Sequence, residues 1–186
     1  MEEKHARGFV VMGIAKYIDE AMPEGGQQVR AATPEVTAHR HELTRTQWYP
    51  LSYAVDQCAA IAAKHQDPQE AWNEVERCGE FIANDAASSF LKLLMKVLTP
   101  SLFARQFPEV WKRYHDFGSL QTDLSQIENN TVVFTVPGYD YVGPLVAGWI
   151  RYIFRSFGKS NLEIETNVPA PGVPAPEEVR FVVSWS

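Results

Sequence analysis

Residues 131–157, TVVFTVPGYDYVGPLVAGWIRYIFRSF, change from a hydrophobic period of two to a period between three and four, and this change decides the fold. Val132, Phe134 and Val136 recur at every second position of 131–137, which is typical of a strand with one buried face. From Leu145 to Phe157 the apolar side chains share one side of a predicted helix, and the basic ones share the other. Such a helix and such strands each need a surface to cover, so we expect them to pack together.

Strands on either side extend this pattern. Residues 120–124 alternate before the turn Glu128-Asn129-Asn130, where asparagine tolerates a positive φ. Residues 162–165 and 179–185 alternate after the helix, separated by the proline-rich loop 167–176. We therefore predict an α+β fold in which residues 119–186 form a ββαββ antiparallel sheet with one covering helix.

Residues 1–118 are predicted to be mainly helical and to form an N-terminal bundle. Apolar spacing indicates a helix over 9–22, two short helices up to residue 44, and a clearer helix that opens at Trp48-Tyr49-Pro50 and ends near His65. A single domain spanning 1–186 is expected, because no long linker separates the helical half 1–118 from the sheet half 119–186.

The second part of the bundle begins with a strong start signal. Asp67-Pro68 with Glu70 is typical of a helix N-terminus, and the apolar period continues to Leu98. Thr99-Pro100 repeats the signal before a short apolar turn. Pro108 is predicted to start a last helix through Tyr114, with Gly118 as its C-cap.

Bulk composition excludes several classes of protein. A net charge of −6 argues against nucleic-acid binding. No stretch approaches the roughly 18 apolar residues of a membrane span, and no signal-peptide pattern precedes the first helix, so a cytoplasmic location is expected. Cys58 and Cys78 fall in predicted helices, where a buried reduced pair is expected.

Sequence motifs for chemistry are absent. There is no Gly-x-Ser-x-Gly, no phosphate-binding loop and no cysteine in a catalytic setting, so we do not expect an enzyme. His39 and His41 with Glu42 would need a further ligand to hold a metal, and the turn before the helix at Gly143 is a weak anion site. Surface residues and a structural turn are the simpler interpretations.

The remaining candidates are aromatic and basic. The aromatic side chains could line a pocket between helices and sheet or simply form core. His115, next to Trp111 in helical spacing, is usually a structural residue, with a haem ligand as the alternative. The ligand-binding candidates are Trp48, Tyr49, Phe81, Phe90, Trp111, His115, Trp149 and Phe154. The candidates for docking a partner protein are Arg151, Arg155 and Lys159. The simpler interpretation of these three residues is a solvated helix face.

The order of elements resembles the superfamily of haem–nitric oxide binding domains, 4-vinyl reductase domains and TRAPP-type trafficking subunits. More narrowly, the chain is similar to a family found mainly in myxobacteria. The matching residues are Trp48-Tyr49-Pro50 before a helix, Gly79 in a long helix, Leu98-Thr99-Pro100, the run Pro108-Glu-Val-Trp111-Lys-Arg-Tyr114, and Gly118 before the first strand.

The resemblance implies a noncatalytic sensor-type or regulatory domain, often dimeric, that binds a small apolar or aromatic ligand between helices and sheet. The alternative is a structural interaction module of the trafficking-subunit type, acting as a homodimer or with a larger partner. Haem-binding members follow their proximal histidine with Tyr-x-Ser-x-Arg, which this chain lacks. We therefore do not expect haem, and a haem gas sensor through His115 remains the further alternative. Residues 79–186 also lack cysteine, which argues against a cysteine-held metal there.

Overall fold

The computed structural model describes residues 3–86, 99–137, 143–168 and 176–186, and these form the predicted α+β fold. The helices are α1 (Gly8–Glu20), α2 (Gly26–Ala32), α3 (Pro34–His39), α4 (Leu51–Ala62), α5 (Pro68–Ala86), α6 (Pro100–Tyr114) and α7 (Gly143–Ser156). The strands are β1 (His5–Arg7), β2 (Trp48–Pro50), β3 (Gln121–Asp123), β4 (Thr131–Pro137), β5 (Glu163–Thr166) and β6 (Glu178–Ser184). The predicted continuation of α5 to Leu98 lies outside the described residues.

The antiparallel sheet of the C-terminal half has the order β3-β4-β6-β5. Its register places buried residues opposite one another, with Val132 against Val183 and Phe134 against Phe181. Because side chains alternate across a strand, these pairs form one continuous apolar face. The predicted ββαββ order is confirmed, and Asn130 takes the expected positive φ of 55° in the turn before β4.

Helix α6 corrects the prediction that Pro108 starts a helix. One helix runs from Pro100 to Tyr114 with Pro108 inside it, after the Thr99 hydroxyl accepts a hydrogen bond from Leu102 N at 3.2 Å. Proline has no N–H for the carbonyl four residues earlier, which here belongs to Ala104. The Thr122 hydroxyl of β3 donates to that Ala104 oxygen at 2.9 Å, so the sheet supplies the missing donor.

A second correction concerns the N-terminal region. Trp48–Pro50 does not open a helix directly but forms the strand β2, antiparallel to β1, and α4 begins at Leu51. Each strand has three residues, too few to show a period of two in the sequence. The same strand β1 reaches α6 through an isolated bridge between Ala6 and His115.

Helices α5 and α7 cross where each has a glycine. A Cβ on Gly79 would lie 2.1 Å from the Leu145 carbonyl oxygen, and one on Gly148 would lie 2.0 Å from that of Glu76. Only glycine permits this approach of two backbones. Arg151 Nε donates to Glu76 Oε1 at 2.5 Å across the same crossing, which joins the helical half to the helix that covers the sheet.

One apolar cluster contains buried residues from both halves of the chain, including Ile14, Ile82, Phe107, Phe134 and Phe154. Cys58 and Cys78 are buried free thiols, as predicted, and burial raises the pKa of the Cys58 thiol to about 12. Among the described residues, no helix combines the length and the apolar character that crossing a membrane requires.

Candidate functional site

Three of the predicted ligand-binding residues meet where the end of α6 contacts α7. Trp111 lies in the last turn of α6, His115 directly follows this helix as its C-cap, and Trp149 belongs to α7. We call these three residues the aromatic cluster. Their exposed fractions are 1%, 3% and 8%, so the cluster lies within the protein and not on its surface.

The spacing of four residues brings two of the rings together. Residues i and i+4 of a helix share a face, and the rings of Trp111 and His115 stack with centroids 3.9 Å apart and planes 18° apart. The Trp111 indole Nε1 donates to the Phe117 carbonyl oxygen at 3.3 Å. Phe117 also presents an edge to His115, with ring centroids 5.6 Å apart. The imidazole is therefore enclosed by aromatic rings.

Burial decides the protonation of His115. Desolvation lowers the pKa of this imidazole to about 3, despite the opposing effects of the Trp111 backbone and the Asp116 charge. His115 is accordingly neutral at physiological pH, and the aromatic cluster carries no charge of its own.

Trp149 completes the cluster from α7. Its ring centroid lies 6.0 Å from that of His115 and 6.3 Å from that of Tyr114. Among the residues that the structure describes, no acceptor reaches its buried indole Nε1, and the same is true of Trp185 Nε1 near the other end of α7. A buried donor without an acceptor costs about 1–3 kcal/mol, and such groups in folded proteins require an explanation.

The N-terminal strand is tied to the same end of α6, which the sequence did not predict. His5 N donates to Asp116 Oδ1 at 2.7 Å, and the His5 ring contacts Asp116 Oδ2 at 2.7 Å. Arg7 Nε donates to the Arg113 carbonyl oxygen at 3.1 Å. Because β1 runs directly into α1, these bonds connect the aromatic cluster to the first helix of the bundle.

The described residues around His115 do not fit a haem. An iron ligand must present a ring nitrogen to an open cavity large enough for the porphyrin, whereas the His115 ring is stacked against an indole and edged by Phe117. Described residues line two cavities. The cavity of about 520 Å³ lies between the loop after α1, the segment after α4 and α5, and the cavity of about 300 Å³ lies between α1, the loop after α3 and the end of the described part of α5. His115 lines neither of them. The sequence also has no Tyr-x-Ser-x-Arg to hold the propionates.

The other ligand-binding candidates lie elsewhere. Phe154, one turn further along α7, packs against Trp185 with centroids 5.0 Å apart. Trp48 is 38% exposed in β2, beneath the guanidinium of Arg7, which lies 4.1 Å from its ring centroid. Tyr49 accepts a hydrogen bond from Thr44 N at 2.9 Å in a small separate apolar cluster.

Phe81 in α5 packs edge-on against Tyr17, with ring centroids 5.4 Å apart, and takes no part in the aromatic cluster. Phe90 lies outside the described residues. Of the seven described candidates, the structure therefore brings three together, which are Trp111, His115 and Trp149.

Two of the three docking candidates have partners within the chain. Arg151 binds Glu76, and the Arg155 Nη1 donates to Glu80 Oε2 at 2.9 Å. The side chain of Arg151 is only 23% exposed, while that of Arg155 is 57% exposed. These cations face α5 and hold the helix crossing, so the expectation of a fully solvated stripe is corrected for Arg151.

Several solved structures have the same fold over nearly the whole chain. An H-NOX protein mutant from K. algicida, in its unliganded Fe(II) form, superimposes with a TM-score of 0.69 at 15% identity, covering 97% of this chain and 96% of that one. An H-NOX protein from S. oneidensis in the Fe(II)NO state gives 0.66 at 16% identity, covering 94% and 98%. An oxygen-binding H-NOX domain related to soluble guanylate cyclases gives 0.64 at 10% identity, covering 97% and 95%.

No protein-family model and no curated protein matches the sequence. The likeness to the solved structures therefore concerns the fold alone, which is that of the H-NOX domains.

Proposed function

We propose that this protein is a noncatalytic sensor-type regulatory domain that binds a small apolar or aromatic ligand at the aromatic cluster, without haem. The observation that carries the proposal is the buried indole N–H of Trp149. A ligand that brings a carbonyl or ether oxygen to this donor would remove the cost of leaving it unpaired. The neutral His115 and the surrounding rings favour an uncharged ligand.

The contacts of β1 supply a route by which ligand binding would reach the helical bundle. A ligand at the cluster contacts α6 and α7, and the end of α6 is bonded to His5 and Arg7. A shift of this helix end therefore pulls on β1 and on α1 behind it. For the ligand to favour one arrangement, it must bind that arrangement more tightly than the other.

Trp149→Phe provides the test, because it keeps a six-membered aromatic ring and removes the five-membered ring of the indole together with its donor N–H. Trp185→Phe is the matched control, since it removes a second unpaired buried indole N–H that lies beside Phe154, away from His115. We expect native mass spectrometry of the freshly purified protein to show a bound small molecule that is lost from Trp149→Phe and kept by Trp185→Phe. The proposal fails if no bound mass is found and no member of a lipid and metabolite panel shifts the thermal midpoint.

The haem alternative has a separate readout. Addition of haem to the purified chain is expected to give no Soret band characteristic of an axial histidine. A band that appears on reconstitution and disappears in His115→Ala would replace the apolar-ligand proposal by the haem sensor.

We also propose that the chain forms a single domain and assembles with a second protein. The apolar cluster that joins both halves supports a single domain over 1–186. The two free thiols support a reducing compartment such as the cytoplasm. The residues around Trp48 and Pro108 support membership of the family found mainly in myxobacteria. A homodimer or a larger protein partner is expected, and light scattering with size exclusion would test the dimer.

A further inference from the structure

A second cavity, of about 300 Å³, lies on the helical half away from the aromatic cluster. One face of α1 forms its floor, the loop after α3 forms one wall, and the end of the described part of α5 forms another. Met12 and Leu43 give the cavity an apolar surface beside Gly13. This volume is at the lower end of the range for small-molecule sites, which suits a ligand of metabolite size.

The rim of the cavity is charged in a balanced way. Three cations and three carboxylates line it, so their formal charges cancel, although the whole chain carries −6. These residues are Lys16, Arg40, Arg45, Asp19, Glu20 and Asp85. Most of these groups pair with one another, so a ligand with charges of both signs can bind the donors and acceptors that stay exposed without disturbing the charge balance of the rim.

On the cationic side of the rim, the Arg45 guanidinium has N–H donors that are accessible to a ligand. Arg45 Nη2 donates to Asp85 Oδ2 at 2.9 Å, and Lys16 Nζ binds the other oxygen of the same carboxylate at 2.5 Å. A guanidinium has five N–H donors in a planar fork. The Arg45 side chain is 58% exposed, so the rest of its fork is accessible to a carboxylate ligand.

The anionic side has a carboxylate that is only weakly engaged. Within the described part of the chain, Glu20 makes one ion pair, with Lys16 at 4.0 Å, and its side chain is 55% exposed. By contrast, Asp19 is held by Arg30 at 2.7 Å and also by Arg40. Glu20 is therefore the carboxylate best able to accept hydrogen bonds from an ammonium group.

We infer that this cavity binds an α-amino acid with an apolar side chain. The ligand carboxylate binds the Arg45 guanidinium, its ammonium binds Glu20, and its side chain packs on Met12 and Leu43. The inference does not depend on the proposed function, because no residue of the aromatic cluster lines this cavity.

Calorimetric titration of the full chain would test the ligand class. The panel is leucine, valine, methionine and phenylalanine, each with its des-amino acid and its decarboxylated amine. At least one amino acid should bind, and both of its analogues should bind at least about tenfold more weakly, since each loses one charge-assisted interaction. The inference is overturned if none of the amino acids binds, or if an analogue with one charge binds as tightly as the amino acid.

Two variants would locate the site. Arg45→Gln and Glu20→Gln remove one charge each and should each weaken binding at least about tenfold. Arg105→Gln, at an exposed position of α6 outside the cavity, is the matched control and should bind like the unchanged protein. If Arg45→Gln loses its far-ultraviolet dichroism, Glu20→Gln decides alone, and unchanged affinity in that variant would refute the site.

Discussion

Replacing Gly79 with alanine should force α5 away from α7 and lower the free energy of unfolding by more than about 3 kcal/mol. The new Cβ would lie 2.1 Å from the Leu145 carbonyl oxygen, whereas ordinary contacts begin at 3.4 Å. The helices must therefore separate by roughly 1 Å, because a carbonyl held within a helix cannot rotate aside.

Two contributions make up the expected loss. Overfilling a packed contact costs about 1–3 kcal/mol, and a clash with backbone belongs at the upper end. The separation also weakens the bond from Arg151 to Glu76, a half-buried hydrogen bond between charged groups, which contributes about 1.5–3 kcal/mol. The exposed pair of Arg155 with Glu80 adds little, since solvent screens it.

Urea denaturation followed by circular dichroism would measure the loss. Gly25→Ala is the matched control, because its Cβ would first meet the flexible end of Lys64 at 3.3 Å, and it should change stability by less than about 1 kcal/mol. A loss below about 1 kcal/mol in Gly79→Ala would refute the close backbone contact and with it the helix crossing.

Two further predictions concern α6. The pKa of His115 falls from 6.5 to about 3 on folding because the imidazole is buried, so below pH 6.5 the unfolded chain binds a proton that the folded chain does not. The free energy of unfolding should therefore fall by about 2 kcal/mol from pH 7 to pH 5. Urea denaturation at the two pH values should show a fall that is about 2 kcal/mol smaller in His115→Phe. Equal falls in the two proteins would contradict the burial of His115. Thr122→Val removes the donor to the Ala104 carbonyl that Pro108 leaves open, and should cost about 1–3 kcal/mol. Thr135→Val in β4 is the comparison, and an equal loss in both variants would refute the role of the Thr122 hydroxyl.

The regular elements were predictable where local signals were strong. The alternation in β4 and β6 and the apolar stripe of α7 are local consequences of burying one face, so they are visible in the chain itself. The caps at Asp67 and Thr99 are also local, because a side chain satisfies an N–H only two or three residues away.

The errors occurred where a distant partner supplied what the local sequence lacked. Pro108 normally disrupts a helix, but Thr122 from the sheet bonds the carbonyl that the proline leaves open. The strand at Trp48–Pro50 exists because β1 pairs with it across about 40 residues of chain, and no three-residue pattern could reveal that pairing.

The candidate site was also predictable only in part from the sequence. Trp111, His115 and Trp149 were visible as aromatic candidates, but five other residues were equally good candidates by composition. Only the packing of α6 against α7 decided that these three meet, and only burial left the Trp149 N–H without an acceptor.

The amino-acid sequence by itself determined the α+β class, the ββαββ order of the C-terminal half and the helix starts at Pro68 and Pro100, because periodicity and capping act within a few residues. The tertiary structure alone decided the glycine crossing of α5 with α7, the continuity of α6 through Pro108, the neutral state of His115 and the charged cavity beside α1. Each of these depends on groups far apart in the chain, and their distances and exposure to water are set only when the whole molecule packs.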